Sequence, residues 1–172
     1  AYINGLYRLW DTLLEEFPHL LIDNCASGGR RIDIETLRRS VPLWRSDYQC
    51  PANYDDYAAQ CHALSFNSWM PYSGTGTGRL YDTYRIRSSF GASLATNFTY
   101  AEDESFGDDP EKMEFLRKTY AEYQKARPYF SEDFYPLTEV SDKTDVWCAW
   151  QFDRPDGKDG LVQVFRRDTS PY

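Results

Sequence analysis

The feature that most constrains the fold is an alternation of helix-like segments with short, wholly apolar runs. Residues 2–17 carry apolar side chains at the spacing of an amphipathic helix, and residues 20–22 are Leu, Leu and Ile. A short run that is apolar throughout is typical of a strand buried on both faces of a parallel sheet. The alternation therefore predicts an α/β fold in which helices connect parallel strands.

This alternation continues for about 127 residues. Four βα units of this kind are half of a (β/α)8 barrel, which needs about 250 residues, so this part is either a small open sheet or the second half of a barrel. The further strands and helices are predicted at 41–44, 65–70 and 88–96, and at 33–40, 55–64, 81–87 and 111–126, respectively.

The pattern changes beyond about residue 135. Three strand-like segments follow one another there without a helix between them, at 138–140, 146–152 and 161–165. A turn sequence, Arg-Pro-Asp-Gly, separates the last two at 154–157. This end of the chain is predicted to be an antiparallel β module.

Composition narrows the possible partners. The net charge of −8 argues against a nucleic-acid partner, and no run approaches the roughly 20 apolar residues of a membrane span. The aromatic content of 17% suits stacking on sugar rings, although aromatic side chains more often fill cores. The chain begins without Met inside a predicted helix and shows no signal peptide, so we expect a piece of a longer protein.

The cysteines argue against a metal site. Cys25, Cys50, Cys61 and Cys148 form no CxxC pair, and the chain has only two histidines. A chain of this length has no need of disulfides, which favours free thiols in a reducing, cytoplasmic compartment. No metal or cofactor is predicted.

Asp47 is the first candidate for chemistry. It follows the second apolar run, beside Trp44, and the carboxyl ends of parallel strands form the active face of α/β folds. A carboxyl partly buried against an indole would have a raised pKa and could donate a proton near neutral pH. The alternative is that Asp47 only caps the following turn.

Two loops rich in small residues are the other candidates. Residues 25–29 follow the first apolar run, and their glycines would let backbone approach a ligand. A nucleophilic Cys25 and a plain βα turn are the alternatives there. Residues 74–78 lack the spacing of a nucleotide-binding loop and are predicted to be a loop of the active face.

Taken together, the two strand-end motifs resemble those of the melibiase-type α-galactosidases, glycoside hydrolase family 36. That family carries CxxGxGR after one barrel strand and SDxxDxxxR after the next; this chain has Cys25, Gly28 and Arg31, then Ser46 and Asp47. The segments at 127–137 and 147–152 also resemble the passage of that family from its barrel into a C-terminal β domain.

The resemblance implies an α/β fold, with residues 1–130 as the C-terminal half of a TIM (β/α)8 barrel and residues 131–172 as antiparallel strands of a C-terminal β domain. It implies a retaining α-galactosidase that acts on α-galactosides or oligosaccharides, in a parent protein that could be a homo-oligomer. Asp47 would be the acid/base. The substrate-binding residues would be Cys25, Gly28, Arg31 and Trp44.

The sequence departs from the family pattern in three places. Arg30 stands for the third glycine of the first motif, and Cys50 stands for the second aspartate of the second. The family's nucleophile segment, Lys-x-Asp-x-Asn, is absent, and residues 143–147 match it only in part. We therefore expect the nucleophile upstream and an inactive isolated chain. A related α-glycosidase, a galactosyl transferase and a non-catalytic carbohydrate-binding module remain alternatives.

Overall fold

The computed structural model describes residues 1–51, 54–70, 72–77, 82–96 and 109–172. Helices and short strands alternate over the first part, and a three-stranded sheet closes the chain. The helices are α1 (Tyr2–Glu16), α2 (Ile34–Leu37), α3 (Asp56–Phe66), α4 (Thr83–Ser88) and α5 (Pro110–Ala126). The strands are β1 (Gly74–Gly76), β2 (Ser93–Ala95), β3 (Asp133–Pro136), β4 (Trp147–Asp153) and β5 (Gly160–Arg166).

The first two apolar runs meet in a single parallel bridge rather than in full strands. Asp23 pairs with Val41. The Val41 N–H donates to the Ile22 carbonyl and the Asn24 N–H donates to the Val41 carbonyl, each at 2.9 Å. This is the hydrogen-bond pattern of parallel neighbours, as the alternation predicts.

Parallel pairing then continues to β1 and β2. The Gly74 N–H donates to the Pro42 carbonyl and the Arg45 N–H donates to the Gly74 carbonyl, both at 2.9 Å. That pattern resembles a parallel pair with one extra residue between the two bonds. On its other side β1 pairs in parallel with β2, with Gly74 opposite Ser93. Four chain segments thus lie side by side in sequence order.

Some predicted elements are wrong in place or extent. The strand expected at 65–70 is absent, because α3 continues to Phe66 and a turn follows. The strand lies instead at 74–76, in the segment predicted as a loop; Gly78 of that loop is outside the described residues. The predicted helix at 33–40 shortens to α2, which Asp33 caps through the Thr36 backbone N–H.

The C-terminal sheet is antiparallel, in the order β3-β4-β5. The predicted strands at 146–152 and 161–165 and the turn between them are confirmed. The prediction at 138–140 is wrong, because the strand that pairs with β4 is β3.

The hydrophobic core lies between this sheet and the helices α3, α4 and α5. Trp150, at its centre, is fully buried, and its indole N–H donates to Gln163 Oε1 at 2.9 Å. No helix in the described part of the chain is long and apolar enough to cross a membrane. The buried members of the core are Ala63, Leu64, Ile86, Phe90, Tyr123, Ala126, Phe130, Cys148, Trp150, Phe152 and Phe165.

Candidate active site

Asp47 lies at the start of a short 3-10 helix, Asp47–Gln49, that follows the second apolar run. Ser46 is the N-cap of this helix, and its Oγ accepts a hydrogen bond from the Tyr48 N–H at 3.1 Å. The alternative that Asp47 merely caps the turn is therefore wrong, because Ser46 does so. Asp47 is exposed, so the expected burial of its carboxyl is not found.

Two donors contact the same oxygen of the Asp47 carboxylate. The Trp44 indole N–H donates to Oδ1 at 2.9 Å, and the Cys50 thiol donates to Oδ1 with Sγ 3.9 Å away. Desolvation raises the pKa of the Cys50 thiol, and the charge of Asp47 raises it further. The thiol is therefore protonated at neutral pH and acts as a donor.

The loop after the first apolar run has an unusual backbone. Residues 26–29 all have positive φ, at 57° for Ala26, 59° for Ser27, 67° for Gly28 and 84° for Gly29. Each left-handed L-residue costs roughly 1 to 2 kcal/mol, and such strain is concentrated at functional sites. Ala26 and Ser27 carry that cost here, which favours a functional loop over a plain turn.

This loop packs directly on the turn that bears Asp47. A Cβ added to Gly28 would lie 2.7 Å from Cγ and 2.8 Å from Oδ2 of Asp47. A Cβ on Gly29 would collide with the carbonyl oxygen of Arg45. Only glycine allows so close an approach, so the two motifs that the sequence singled out form one site.

Cys25 and Arg31 flank the loop. Cys25 is partly buried, and a negative charge on its sulfur would raise the pKa of the Cys50 thiol. The Arg31 guanidinium donates to the hydroxyl of Tyr2 in α1 at 3.4 Å, and the Arg31 carbonyl accepts from Asn24 Nδ2 at 2.9 Å. Arg31 thus supports the loop through its contact with α1.

Trp44 is held by β1. A Cβ on Gly76 would lie 2.7 Å from Cζ3 of the Trp44 indole, so the ring packs on the bare backbone of that glycine. Gly76 was predicted only as part of a loop of the active face, and Cys50 only as a departure from the family motif. The signal for Cys50 was its spacing: it lies three residues after Asp47, and side chains three apart align in a 3-10 turn.

Beside this turn lies a buried cation. Arg45 is 3% exposed, and its guanidinium contacts Ser73 Oγ at 3.4 Å. Burial lowers the pKa of Arg45 to about 10, and burial together with the charge of Arg45 lowers the pKa of His62. Arg45 is thus still charged at neutral pH, without a carboxylate partner in the part of the chain that the structure describes.

All four cysteine thiols are free. Within the described ranges, no three or more His, Cys, Asp or Glu side chains are grouped so as to hold a metal ion. The local chemistry is therefore that of one exposed, hydrogen-bonded carboxylate with two thiols nearby.

Known α-galactosidases are among the proteins to which this chain is similar. Residues 1–61, which include all five predicted site residues, match the sequence model of the Melibiase family. The α-galactosidase of Escherichia coli is 56% identical over 47 residues, which are 27% of this chain and 7% of that enzyme. Alpha-galactosidase 1 of Pediococcus pentosaceus is 27% identical across 95% of this chain.

The chain spans less than a quarter of these relatives, 22% in the Pediococcus pentosaceus enzyme and 23% in the α-galactosidase AgaA of Geobacillus stearothermophilus. AgaA is 26% identical across 96% of this chain. The similarity thus extends into the C-terminal sheet. These matches support the α-galactosidase family and a relationship to glycoside hydrolases.

Proposed function

We propose that the chain is part of a retaining α-galactosidase of glycoside hydrolase family 36, in which Asp47 is the acid/base. The observation that supports this most is the packing of the Gly28 loop on the Asp47 carboxyl. The two motifs lie about 20 residues apart in sequence and form one exposed site, in the segment that matches the Melibiase family. Cys25, Gly28 and Trp44 would form the wall of the galactose pocket, and Arg31 would hold that wall.

The role of Asp47 follows from the chemistry of retaining glycosidases. A second carboxylate attacks the anomeric carbon while Asp47, as the acid, gives its proton to the glycosidic oxygen and the C–O bond breaks. Asp47 is then a carboxylate, and it accepts a proton from the water that hydrolyses the glycosyl-enzyme. The exposure of Asp47 gives both the substrate and that water access to the carboxyl.

The nucleophile is proposed to come from residues upstream in the complete protein. The sequence has no Lys-x-Asp-x-Asn segment, and the two carboxyls of a retaining enzyme stand about 5 to 5.5 Å apart. The isolated chain is accordingly expected to be inactive, since positioning of both groups is required.

The same proposal gives the fold of the complete enzyme. Residues 1–130 would be the C-terminal half of a (β/α)8 barrel, and residues 131–172 would begin its β domain. The parallel neighbours in sequence order support the half barrel. So does the exposure of large apolar side chains in the N-terminal region, which the other barrel half would cover: Tyr2, Ile3, Leu9, Phe17, Leu20, Leu21 and Ile34.

The test is hydrolysis of α-galactosides by the complete protein and by its Asp47→Asn variant. General acid catalysis contributes roughly 10²- to 10⁴-fold, so the variant should lose that much kcat on melibiose. It should lose less on nitrophenyl α-galactoside, whose leaving group needs little protonation. Asp156→Asn, in the hairpin turn, is the control and should be fully active. A complete protein that does not hydrolyse α-galactosides would contradict the proposal, and so would an Asp47→Asn variant with normal activity.

A second candidate is a related α-glycosidase or a galactosyl transferase on the same scaffold. The Cys50 thiol contacts the candidate acid where the family motif has aspartate, and Arg30 replaces a glycine of the pocket loop. A panel of aryl α-glycosides, with sucrose as acceptor, separates these activities. Hydrolysis of galactosides alone would eliminate this candidate, whereas galactosylated sucrose would favour it.

A further inference from the structure

We propose that Trp44 and Cys50 are positioning residues that bind Oδ1 of Asp47, so that the proton transferred to the substrate is held on Oδ2. This inference rests on the proposed function, because it concerns the acid/base role of Asp47. It assigns different tasks to the two oxygens of one carboxyl: Oδ1 is the anchored acceptor, and Oδ2 is the reacting atom.

The indole contact makes Oδ1 an acceptor. Trp44 Nε1–H is a donor and cannot accept, and it lies 2.9 Å from Oδ1. In the protonated carboxyl the better acceptor is the C=O oxygen. Oδ1 is therefore the carbonyl oxygen of the acid form, and the proton is held on Oδ2.

The surroundings of Oδ2 suit a transferable proton. Oδ2 faces the bare backbone of Gly28, where an added Cβ would lie 2.8 Å from it. Among the side chains that the structure describes, the donors to this carboxyl, Trp44 and Cys50, are both on Oδ1. The absence of a side chain at Gly28 lets the loop backbone approach Oδ2 without a side-chain donor that would compete for its proton.

The indole itself is fixed in place. Its ring packs on Gly76 of β1, which is paired in turn with β2. The indole therefore cannot rotate away from Asp47 without losing its packing on β1. The direction of the carboxyl is therefore set by the sheet, in addition to the 3-10 turn.

The thiol contributes a second, weaker contact to the same oxygen. At 3.9 Å the Sγ–H···Oδ1 bond is long, and such bonds are weak. It strengthens when Asp47 is a carboxylate, since charged acceptors form stronger hydrogen bonds. Cys50 would therefore favour the carboxylate that acts as base in the second half of the reaction.

One experiment tests the contact without any activity. The chain is alkylated with iodoacetamide over a range of pH, and modification of each cysteine is followed by mass spectrometry. Asp47→Asn removes the charge that raises the Cys50 pKa, so alkylation of Cys50 at pH 8 should accelerate several-fold. Cys61, in α3, is the internal control and should not change. An unchanged Cys50, or an equal acceleration at Cys61, would overturn the contact.

The positioning role is tested in the complete protein with Trp44→Phe, which keeps an aromatic ring but removes the N–H. The loss of one hydrogen bond to a charged group predicts a kcat about tenfold lower, with KM nearly unchanged. The loss should be greater on melibiose than on nitrophenyl α-galactoside. Cys50→Ala should have a smaller effect of the same kind, and Cys50→Ser should restore part of it.

The outcomes separate the two proposals. If the unmodified protein does not hydrolyse α-galactosides, the proposed function fails, while the alkylation result still reports on the contact. If the protein is active and Trp44→Phe raises KM with kcat unchanged, the indole only binds substrate and the positioning inference is wrong. The Phe and Ser substitutions are conservative, so we expect these variants to fold. Circular dichroism checks the folding of each variant.

Discussion

Arg167 and Arg45 are both buried arginines, in the C-terminal region and beside the candidate site respectively. Arg167 is 1% exposed; its Nε donates to Gln60 Oε1 at 3.0 Å, and its Nη1 donates to two backbone carbonyls at 2.6 Å, those of Ser141 and Lys143. The Arg45 guanidinium donates to Ser73 Oγ at 3.4 Å and lies over the ring of Phe66, but its Nε has no hydrogen-bond partner among the described residues. The C-terminal region thus satisfies its buried polar groups from within the chain, whereas the region of the candidate site does not.

The rest of the buried side chains show the same contrast. Aromatic rings fill the core under the sheet, whereas the buried side chains of residues 1–51 are mostly polar. Gln49 is 1% exposed, and neither polar atom of its side chain has a partner in the described part of the chain. Buried polar groups are normally paired. The proposed half barrel explains the difference, since the other half would supply the partners.

The largest expected effect comes from removing Arg167, the buried arginine whose guanidinium is fully hydrogen-bonded within the chain. Arg167→Met would leave the buried Gln60 Oε1 without a donor, at a cost of roughly 1 to 3 kcal/mol, and would remove the charged hydrogen bonds to the Ser141 and Lys143 carbonyls, each worth about 1.5 to 3 kcal/mol. We expect the free energy of unfolding to fall by at least about 3 kcal/mol, measured by urea unfolding. Arg166→Met, at the exposed neighbouring position, is the control and should stay within about 0.5 kcal/mol of the unmodified chain. Equal losses in both variants would show that the buried hydrogen bonds of Arg167 are not the source of the loss.

A second prediction concerns Tyr54, whose hydroxyl bonds Ser89 Oγ at 2.9 Å. Burial raises the pKa of Tyr54 to about 12. Below about pH 10 the phenol is protonated in both states; between pH 10 and 12 the unfolded chain releases a proton that the folded chain retains. Stability therefore falls as pH rises through this window, by roughly 2 to 3 kcal/mol from Tyr54 alone.

Urea unfolding at a series of pH values from 9 to about 12 measures this slope. Tyr54→Phe should flatten it, because the variant has no phenol to titrate at that position. Tyr172→Phe, at an exposed position, should keep the slope of the unmodified chain. If the Tyr54→Phe variant and the unmodified chain lose the same stability as pH rises, titration of Tyr54 does not cause the loss.

The site loop offers a third comparison, between two glycines. Gly28→Ala would place a methyl 2.7 Å from the Asp47 carboxyl at a φ of +67°, and we expect a loss of about 2 kcal/mol. Gly5 lies near the start of α1 with nothing within 4 Å of an added Cβ, so Gly5→Ala should raise stability by about 0.5 to 1 kcal/mol. Thermal unfolding of both variants checks the opposite signs. A Gly28→Ala variant of unchanged stability would show that the loop does not hold this conformation.

Much of the secondary structure could be predicted from local patterns. The amphipathic spacing of α1 and α5 and the strand-like runs of β4 and β5 are determined by residues close in sequence. The strand at 74–76 could not be predicted, because Gly-Thr-Gly has little strand propensity. It is a strand because it pairs with β2 on one side and with residues 42–45 on the other, and it contains glycine because the Leu43 carbonyl and the Trp44 ring occupy the space where side chains would be. The need for glycine in this strand thus depends on residues about 30 positions earlier in the sequence.

The candidate site was also only partly predictable from the sequence. Spacing and resemblance selected Cys25, Gly28 and Asp47, but not the direction of the carboxyl or the oxygen to which Trp44 donates. The expected burial of Asp47 was wrong, because Trp44 presents its N–H edge to the carboxyl and leaves it exposed. Exposure depends on side-chain orientation, which sequence pattern does not determine.

The smallest expected effect is at Arg45, and it tests the difference between the two arginines most directly. A buried charge without a carboxylate partner costs desolvation that a hydrophobic side chain of similar volume avoids. Arg45→Met should therefore leave the stability of this chain unchanged or raise it by about 1 kcal/mol, in contrast to Arg167→Met. Urea unfolding of the two variants side by side measures the difference. A loss at Arg45 as large as that at Arg167 would mean that the guanidinium is satisfied within this chain, and the proposed half barrel would lose that support.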